Sequence, residues 1–314
     1  MKIQGVNITG GVRLDPPVAP KPAVGYQGES FGYITSDVPA GRIEKYSYTS
    51  DANSSDVGTL STKRKRGAGS ASSTAGFVAG GDSPTASASI DKFPFASDTG
   101  SVRSAGLAVG HQFGGSASSA ENGYVLGGEN IGMPYSNQIQ KYSFSNDATA
   151  ASDVADLLSV IRYNSGTSST EHGYSSGGRN PLSSMNIINK FPFSSDTNAT
   201  DVGNLIQIQS KGCGSNSYTH GYYQGGDEGN SVTIQKFPFA SDADATDVGD
   251  LGGNQKDGTG SSSTSSGYAA GSNGTTPPFG NDTIEKYPYA SDSNPTDVGN
   301  LTQGITFGVG SIQV

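Results

Sequence analysis

The pattern Ile-x-Lys-(Phe/Tyr)-x-(Phe/Tyr) begins at Ile43, Ile90, Ile139, Ile188, Ile234 and Ile284, so one unit recurs six times at spacings of 47, 49, 49, 46 and 50 residues. A fixed period of this size restricts the chain to architectures in which each unit buries its apolar side chains against its neighbours. The period exceeds that of leucine-rich, ankyrin and tetratricopeptide repeats and falls in the range of four-stranded propeller blades. Helical repeats are excluded by pattern as well, because glycine, at 46 of 314 positions, interrupts every window in which a 3.6-residue apolar period could develop.

Each unit carries four landmarks, clearest between Gly258 and Leu301. A small-residue segment, 258–263, precedes an aromatic after glycine with a glycine-rich end, 267–271. After a loop come residues 284–289, and past a turn opened by Ser291-Asp292 the closing Asp297-Val298-Gly299-Asn300-Leu301. Four landmarks predict four strands, a to d, and six units predict an all-β, six-bladed propeller. Strand a is expected nearest the axis, where crowding admits only Gly and Ser. The strand-b aromatics Tyr33, Phe77, Tyr124, Tyr174, Tyr222 and Tyr268 are expected to pack between blades. In strand c the period of two puts Phe93 and Phe95 on one face and Ile90 and Lys92 on the other. Pro94, Pro192, Pro238 and Pro288 fall inside strand c, where a missing N–H predicts a bulge or an early end of strand d at that level.

Charge narrows the partners. At a net charge of −9 a surface that neutralises phosphates is not expected, so nucleic acid is excluded as a partner. No apolar run has the length of a signal peptide or a membrane span, which predicts a soluble protein without membrane insertion. One cysteine, Cys213, forms no internal disulfide, and its place in a strand a points to packing.

The ends frame the repeat. Pro16, Pro17, Pro20 and Pro22 give residues 1–22 the character of an extended arm, either an anchor to a larger assembly or a segment lying on the propeller, which itself covers residues 23–314. Gly308, Gly310 and Ser311 follow Leu301 as Gly67, Gly69 and Ser70 follow Leu60, so the C-terminus is the expected donor of the closing strand a, with residues 23–27 as the alternative.

The succession Gly-Tyr-x-x-Gly-Gly, loop, Ile-x-Lys-Phe-x-Phe, turn and Val-x-x-Leu resembles the kelch repeat across residues 23–314. Gly80-Gly81, Gly127-Gly128, Gly177-Gly178 and Gly225-Gly226 match the double glycine that ends kelch strand b. Tryptophan is absent, and Val57, Val154, Val202, Val248 and Val298 stand roughly where the kelch tryptophan opens strand d. The dialect Lys-Phe-Pro-Phe-Ala-Ser-Asp with Ala-Thr-Asp-Val-Gly also resembles Gly/Ser-rich propellers among virion structural proteins of marine bacteriophages. That resemblance implies a capsid, tail or fibre appendage located in the virion, presenting loops to other virion proteins or to a host-surface glycan. It is compatible with a homo-oligomer. The alternative is a soluble carbohydrate- or protein-binding propeller, and a third reading is a propeller hydrolase or lyase.

Variation among the units marks candidate binding residues. The b–c loops differ in length and content, whereas the c–d turns repeat, and variable loops on a rigid scaffold carry specificity. This nominates Met133, Tyr135, Arg179 and Phe279. The c–d turns, such as Asp196-Thr-Asn198-Ala-Thr200-Asp201, offer oxygens at calcium-like spacing, but they lack the glycine and distal glutamate of an EF-hand loop and read as structural turns. The recurrent lysine of strand c is expected to lie on a neighbouring aromatic and reach a carboxylate. His111, His172 and His220 lack metal-ligand spacing and read as surface-turn histidines, and Lys63-Arg64-Lys65-Arg66 reads as a solvated loop. No metal, cofactor or catalytic residue is assigned, because no histidine stands in a nucleophile setting and the repeated aspartates recur as fold-forming residues do.

Overall fold

The computed structural model describes residues 28–36, 41–82, 85–229, 232–272, 281–305 and 307–313, and its strands form six four-stranded antiparallel sheets. Blade 1 takes β1 (Phe31–Ser36), β2 (Arg42–Ser47) and β3 (Ser55–Thr59) from the first repeat. Blade 2 contains β4 (Ala68–Ala71), β5 (Ala75–Ala79), β6 (Ile90–Pro94) and β7 (Ser101–Val102). Blade 3 contains β9 (Gly115–Ser118), β10 (Asn122–Leu126), β12 (Ser136–Ser143) and β13 (Ser152–Ile161), with a small annex of β8 (His111–Gln112) and β11 (Glu129–Asn130). Blade 4 contains β14 (Ser165–Ser168), β15 (His172–Ser176), β16 (Met185–Pro192) and β17 (Thr200–Gln209). Blade 5 contains β18 (Cys213–Asn216), β19 (His220–Gln224), β20 (Thr233–Pro238) and β21 (Thr246–Asp250). Blade 6 contains β22 (Thr259–Ser262), β23 (Ser266–Ser272), β24 (Asn281–Pro288) and β25 (Thr296–Asn300).

The remaining strand, β26 (Val309–Gln313), pairs antiparallel with β1 and supplies the innermost strand of blade 1, so the C-terminus closes the circle. The arm and residues 23–27 lie outside the described residues. The chain therefore puts b–c and d–a connections on one face, called upper here, and a–b and c–d turns on the lower face.

Aromatic rings fill the gaps between blades. Each strand-b ring stacks on a strand-c ring of the next blade: Tyr33 on Phe95 at 5.0 Å between centroids, Phe77 on Phe144 at 4.7 Å and Tyr124 on Phe193 at 4.9 Å. The series continues with Tyr174 on Phe239 at 4.7 Å and Tyr222 on Tyr289 at 4.9 Å, and it closes from blade 6 to blade 1 with Tyr268 on Tyr48 at 4.6 Å. Such pairs contribute about 0.5–1.5 kcal/mol each beyond the area they bury. The opposite strand-c face buries Ile43, Ile90, Ile139, Ile188, Ile234 and Ile284.

Strand a explains its own glycines. A Cβ on Gly260 would lie 2.0 Å from the Gly214 carbonyl oxygen of the neighbouring blade, closer than any carbon can approach. Serine has a further role that crowding alone does not predict. Ser118 Oγ accepts the Ala71 N–H at 3.3 Å, Ser168 Oγ the Ser118 N–H at 2.9 Å and Ser262 Oγ the Asn216 N–H at 2.8 Å. These hydroxyls satisfy strand-a amides that no fifth strand pairs.

The strand-c prolines sit where the ladder has ended. β20 pairs with β21 only as far as Lys236 opposite Thr246, with a register shift between Ile234 and Gln235. Phe239 N–H donates to Thr219 at 2.9 Å on the strand-b side, so the nitrogen of Pro238 faces the side already released by strand d.

Two further sets of contacts lock blade to blade. The strand-c lysine reaches an aspartate in the next c–d turn at every joint: Lys45–Asp98 at 3.2 Å, Lys92–Asp147 at 3.0 Å, Lys141–Asp196 at 2.8 Å, Lys190–Asp242 at 2.6 Å, Lys236–Asp292 at 2.6 Å and Lys286–Asp51 at 2.9 Å. The third turn residue binds the blade before it, as Asn198 Oδ1 accepts the Asp156 N–H at 3.0 Å and Asn294 Oδ1 the Asp250 N–H at 2.9 Å. Of the turn oxygens with calcium-like spacing, Asp196 and Asn198 are thus engaged by the neighbouring blade, while Thr200 donates to the Lys190 carbonyl and Asp201 accepts the Gly203 N–H within its own. Higher in strand c, the residue after the isoleucine is always a buried acceptor: Glu44, Asp91, Gln140, Asn189, Gln235 and Glu285. Asn189 Oδ1 accepts the Leu158 N–H at 3.1 Å, and Gln235 Oε1 the Ile206 N–H at 2.8 Å.

Candidate functional site

The upper end of the axis is built by one residue per blade. Each d–a connection enters strand a through a non-glycine residue in the left-handed region: Arg66 (φ 62°), Phe113 (60°), Tyr163 (58°), Lys211 (61°), Asp257 (55°) and Phe307 (57°). The conformation lets each N–H donate to the carbonyl of the preceding blade's residue. The bonds run Phe113 to Arg66 at 2.9 Å, Tyr163 to Phe113 at 2.7 Å, Lys211 to Tyr163 at 2.9 Å, Asp257 to Lys211 at 2.8 Å, Phe307 to Asp257 at 3.2 Å and Arg66 to Phe307 at 3.1 Å. They form a closed hydrogen-bonded ring. Left-handed backbone in bulky residues carries strain, and such strain concentrates at functional positions. A cavity opens at this ring, above the narrow glycine-lined channel between the six strands a.

The six side chains share a conformation but not a chemistry. The Arg66 guanidinium lies between Phe113 and Phe307, 4.5 and 4.3 Å from their centroids, and pairs with Asp82 at 2.8 Å. Phe113 packs on Tyr163 at 4.5 Å. The Lys211 ammonium stands 5.4 Å from the Tyr163 centroid and is ion-paired with Asp227, which also takes Lys256 at 3.3 Å. Burial works against the charge of Asp227, but Lys211 and Lys256 outweigh it and hold the carboxyl below the ordinary range.

Of the residues nominated from sequence, Tyr135 and Arg179 are brought together by a residue that the sequence did not single out, Arg162. Its guanidinium stacks on Tyr135 at 4.7 Å and Tyr163 at 5.0 Å and is ion-paired with Glu129. Its backbone exchanges two hydrogen bonds with Arg179, at 3.0 and 2.8 Å. Met133 is 45% exposed at the tip of the same loop as Tyr135, outside this stack of rings. Phe279 lies outside the described residues.

Two sequence expectations are corrected here. The basic run 63–66 is not a solvated loop, because Arg64 is 1% exposed, ion-paired with Asp91 at 2.9 Å and hydrogen-bonded to the Gly80 and Ser89 carbonyls at 3.1 and 2.9 Å. Arg66 reaches the axial mouth, while Lys63 is exposed. His111 is not a surface-turn histidine. It is fully buried in β8, with its ring against the Cα positions of Gly114 and Gly128, and burial pushes its pKa down to about 4. His172 and His220 do occupy equivalent places, opposite Pro192 and Pro238 at the lower end of strand b. Cys213 is buried in strand a, where desolvation pushes its thiol up to about 12 and suppresses the thiolate.

No family model and no curated protein sequence matches this chain.

Proposed function

We propose that this propeller is a structural attachment module, a capsid, tail or fibre appendage of a virus particle, which docks on a protein neighbour and presents its upper face to a protein or a host-surface glycan. The observation that carries the docking is a local break in the sixfold pattern. After the buried leucine that closes strand d, blades 3 and 4 continue with Leu158, Val160, Ile206 and Ile208, which are 52, 38, 47 and 50% exposed. The equivalent places hold Ser61, Gly252 and Thr302, then Lys63, Asn254 and Gly304, in blades 1, 5 and 6. Leu182, 91% exposed in the next b–c loop, belongs to the same two blades. Clustered exposed apolar side chains on a polar scaffold mark protein-binding surface. The particle setting is drawn from the resemblance of the repeat dialect to virion propellers.

The test is a cryo-electron reconstruction of the native assembly that contains this chain. The proposal expects Leu158, Val160, Ile206 and Ile208 to be covered by a protein neighbour, with the axial mouth directed outward. A free monomer with that strip in solvent would overturn it in favour of a soluble binding propeller.

A further inference from the structure

We infer that the axial mouth is a binding site for a carboxylate-bearing sugar, with Arg179 as its available cation and Arg162 beside it. The inference rests on the reading of the upper face as a recognition surface, and it gives that face a ligand chemistry.

Charge separation is the first support. The chain carries a net charge of −9, yet Lys65, Arg66, Arg162, Arg179, Lys211 and Lys256 gather around the mouth, against Asp82, Glu129, Asp227, Glu228 and Asp257. On the lower face each strand-c lysine is matched by an aspartate, and Asp153, Asp201, Asp247 and Asp297 are exposed on the outer strands, opposite Gln140, Asn189, Gln235 and Glu285. A multivalent anion is therefore repelled by the outer edge and drawn to the mouth.

Pairing is the second. Arg42, Arg64, Arg66, Arg103 and Arg162 each have a carboxylate partner, whereas Arg179 is the one arginine among the described residues without an ion pair, and its Nε is buried with no acceptor. It stands directly opposite Arg162 across a pair of backbone hydrogen bonds. Like charges in that relation repel, and a carboxylate shared between the two guanidiniums removes the repulsion.

The third support is the company these arginines keep. The phenol of Tyr163 is pushed up by burial and by Asp257, against the pull of Arg162, Arg66 and Arg179, so three guanidinium charges act on one point of the mouth. Around that point Tyr135, Tyr163 and Phe113 present rings, and Phe113 packs on Tyr163. A pyranose uronate combines the two features the site offers to meet, a planar anion for the guanidiniums and an apolar ring face for the aromatics. An acidic peptide supplies the anion without that ring face.

The experiment uses the full chain and isothermal titration calorimetry with tetragalacturonate, with maltotetraose as the neutral sugar and a tetraglutamate peptide as the acidic non-sugar. The expected result is binding of tetragalacturonate that weakens with added salt, with the other two ligands weaker by at least ~10-fold. Arg179→Gln is expected to weaken the uronate by ~10- to 100-fold at an unchanged melting temperature, while Lys236→Gln on the lower face leaves it unaltered. Equal binding of maltotetraose, tighter binding of tetraglutamate, indifference to Arg179→Gln or absence of uronate binding would each overturn the assignment. None of these results touches the docking strip, whose own test is whether Leu158 and Ile206 are covered in the assembly.

Discussion

The lower and upper faces of this propeller join the same six blades by opposite means. On the lower face one device is repeated: a lysine from strand c meets an aspartate from the next turn at all six joints, with ammonium–carboxylate distances of 2.6 to 3.2 Å. On the upper face the backbone ring is regular but the side chains are singular. Blade 1 meets blade 2 through the buried Arg64–Asp91 pair, and the joint of blades 2 and 3 buries His111. A repeated, half-exposed contact is individually weak and collectively uniform, whereas a unique buried one is individually costly to break. The difference separates a face that holds the ring together from a face free to diversify.

The sharpest way to break that comparison is at Arg64. Arg64→Met removes the ion-pair partner of Asp91 in a fully buried site, and the expected loss of unfolding free energy is about 3–5 kcal/mol by urea denaturation. Adding Asp91→Leu is expected to recover most of it, since two apolar residues replace the pair. A loss below about 1 kcal/mol would show that the upper joint is no more demanding than the lower ones.

His111 gives the next effect and reads it through pH. Its folded pKa, near 4, lies below the unfolded value of about 6.5, so the unfolded chain takes up a proton that the folded one refuses. The contribution is complete above pH 6.5 and is lost as pH falls towards 4, amounting to roughly 3 kcal/mol at the acid end. Thermal unfolding followed between pH 7 and 4 is expected to show this slope in the native protein and to lose it in His111→Phe. A slope that survives the substitution would place the titration elsewhere.

The smallest effect belongs to the lower ring. Lys236→Met is expected to cost less than about 1 kcal/mol, and Lys190→Met and Lys286→Met the same within about 0.5 kcal/mol, because each pair is partly exposed and built alike. Unequal losses among the three, measured by denaturant titration, would mean that the joints differ in ways their geometry does not reveal.

The repeat made the blade legible. The strand-b aromatic, the strand-c (Phe/Tyr)-x-(Phe/Tyr) and the closing leucine each recur with one chemistry, and period-two alternation is enough to assign their faces. The acid or amide after the isoleucine was visible in the same way, at Glu44, Asp91, Gln140, Asn189, Gln235 and Glu285, although the motif Ile-x-Lys left that position open. Its purpose was not, because the amide it serves lies in the preceding blade, as Leu158 N–H does for Asn189. The axial residues left no such signal. Arg66, Phe113, Tyr163, Lys211, Asp257 and Phe307 have no chemistry in common, so although each stands six residues after a closing leucine, nothing in the residue types announces their shared left-handed conformation. Arg162 escaped notice for the same reason, whereas Tyr135 and Arg179 were nominated because loop variation itself was the criterion.

By itself, the sequence determined the number of blades, the strands of each and the side chains that fill the gaps between them, because those depend on period and alternation within one unit. The tertiary structure decided how the units meet around the axis. It buried Arg64 and His111, set Arg179 opposite Arg162 and closed the hydrogen-bonded ring, because these contacts join residues of different blades. Their distances are fixed by closure of the ring and not by spacing along the chain.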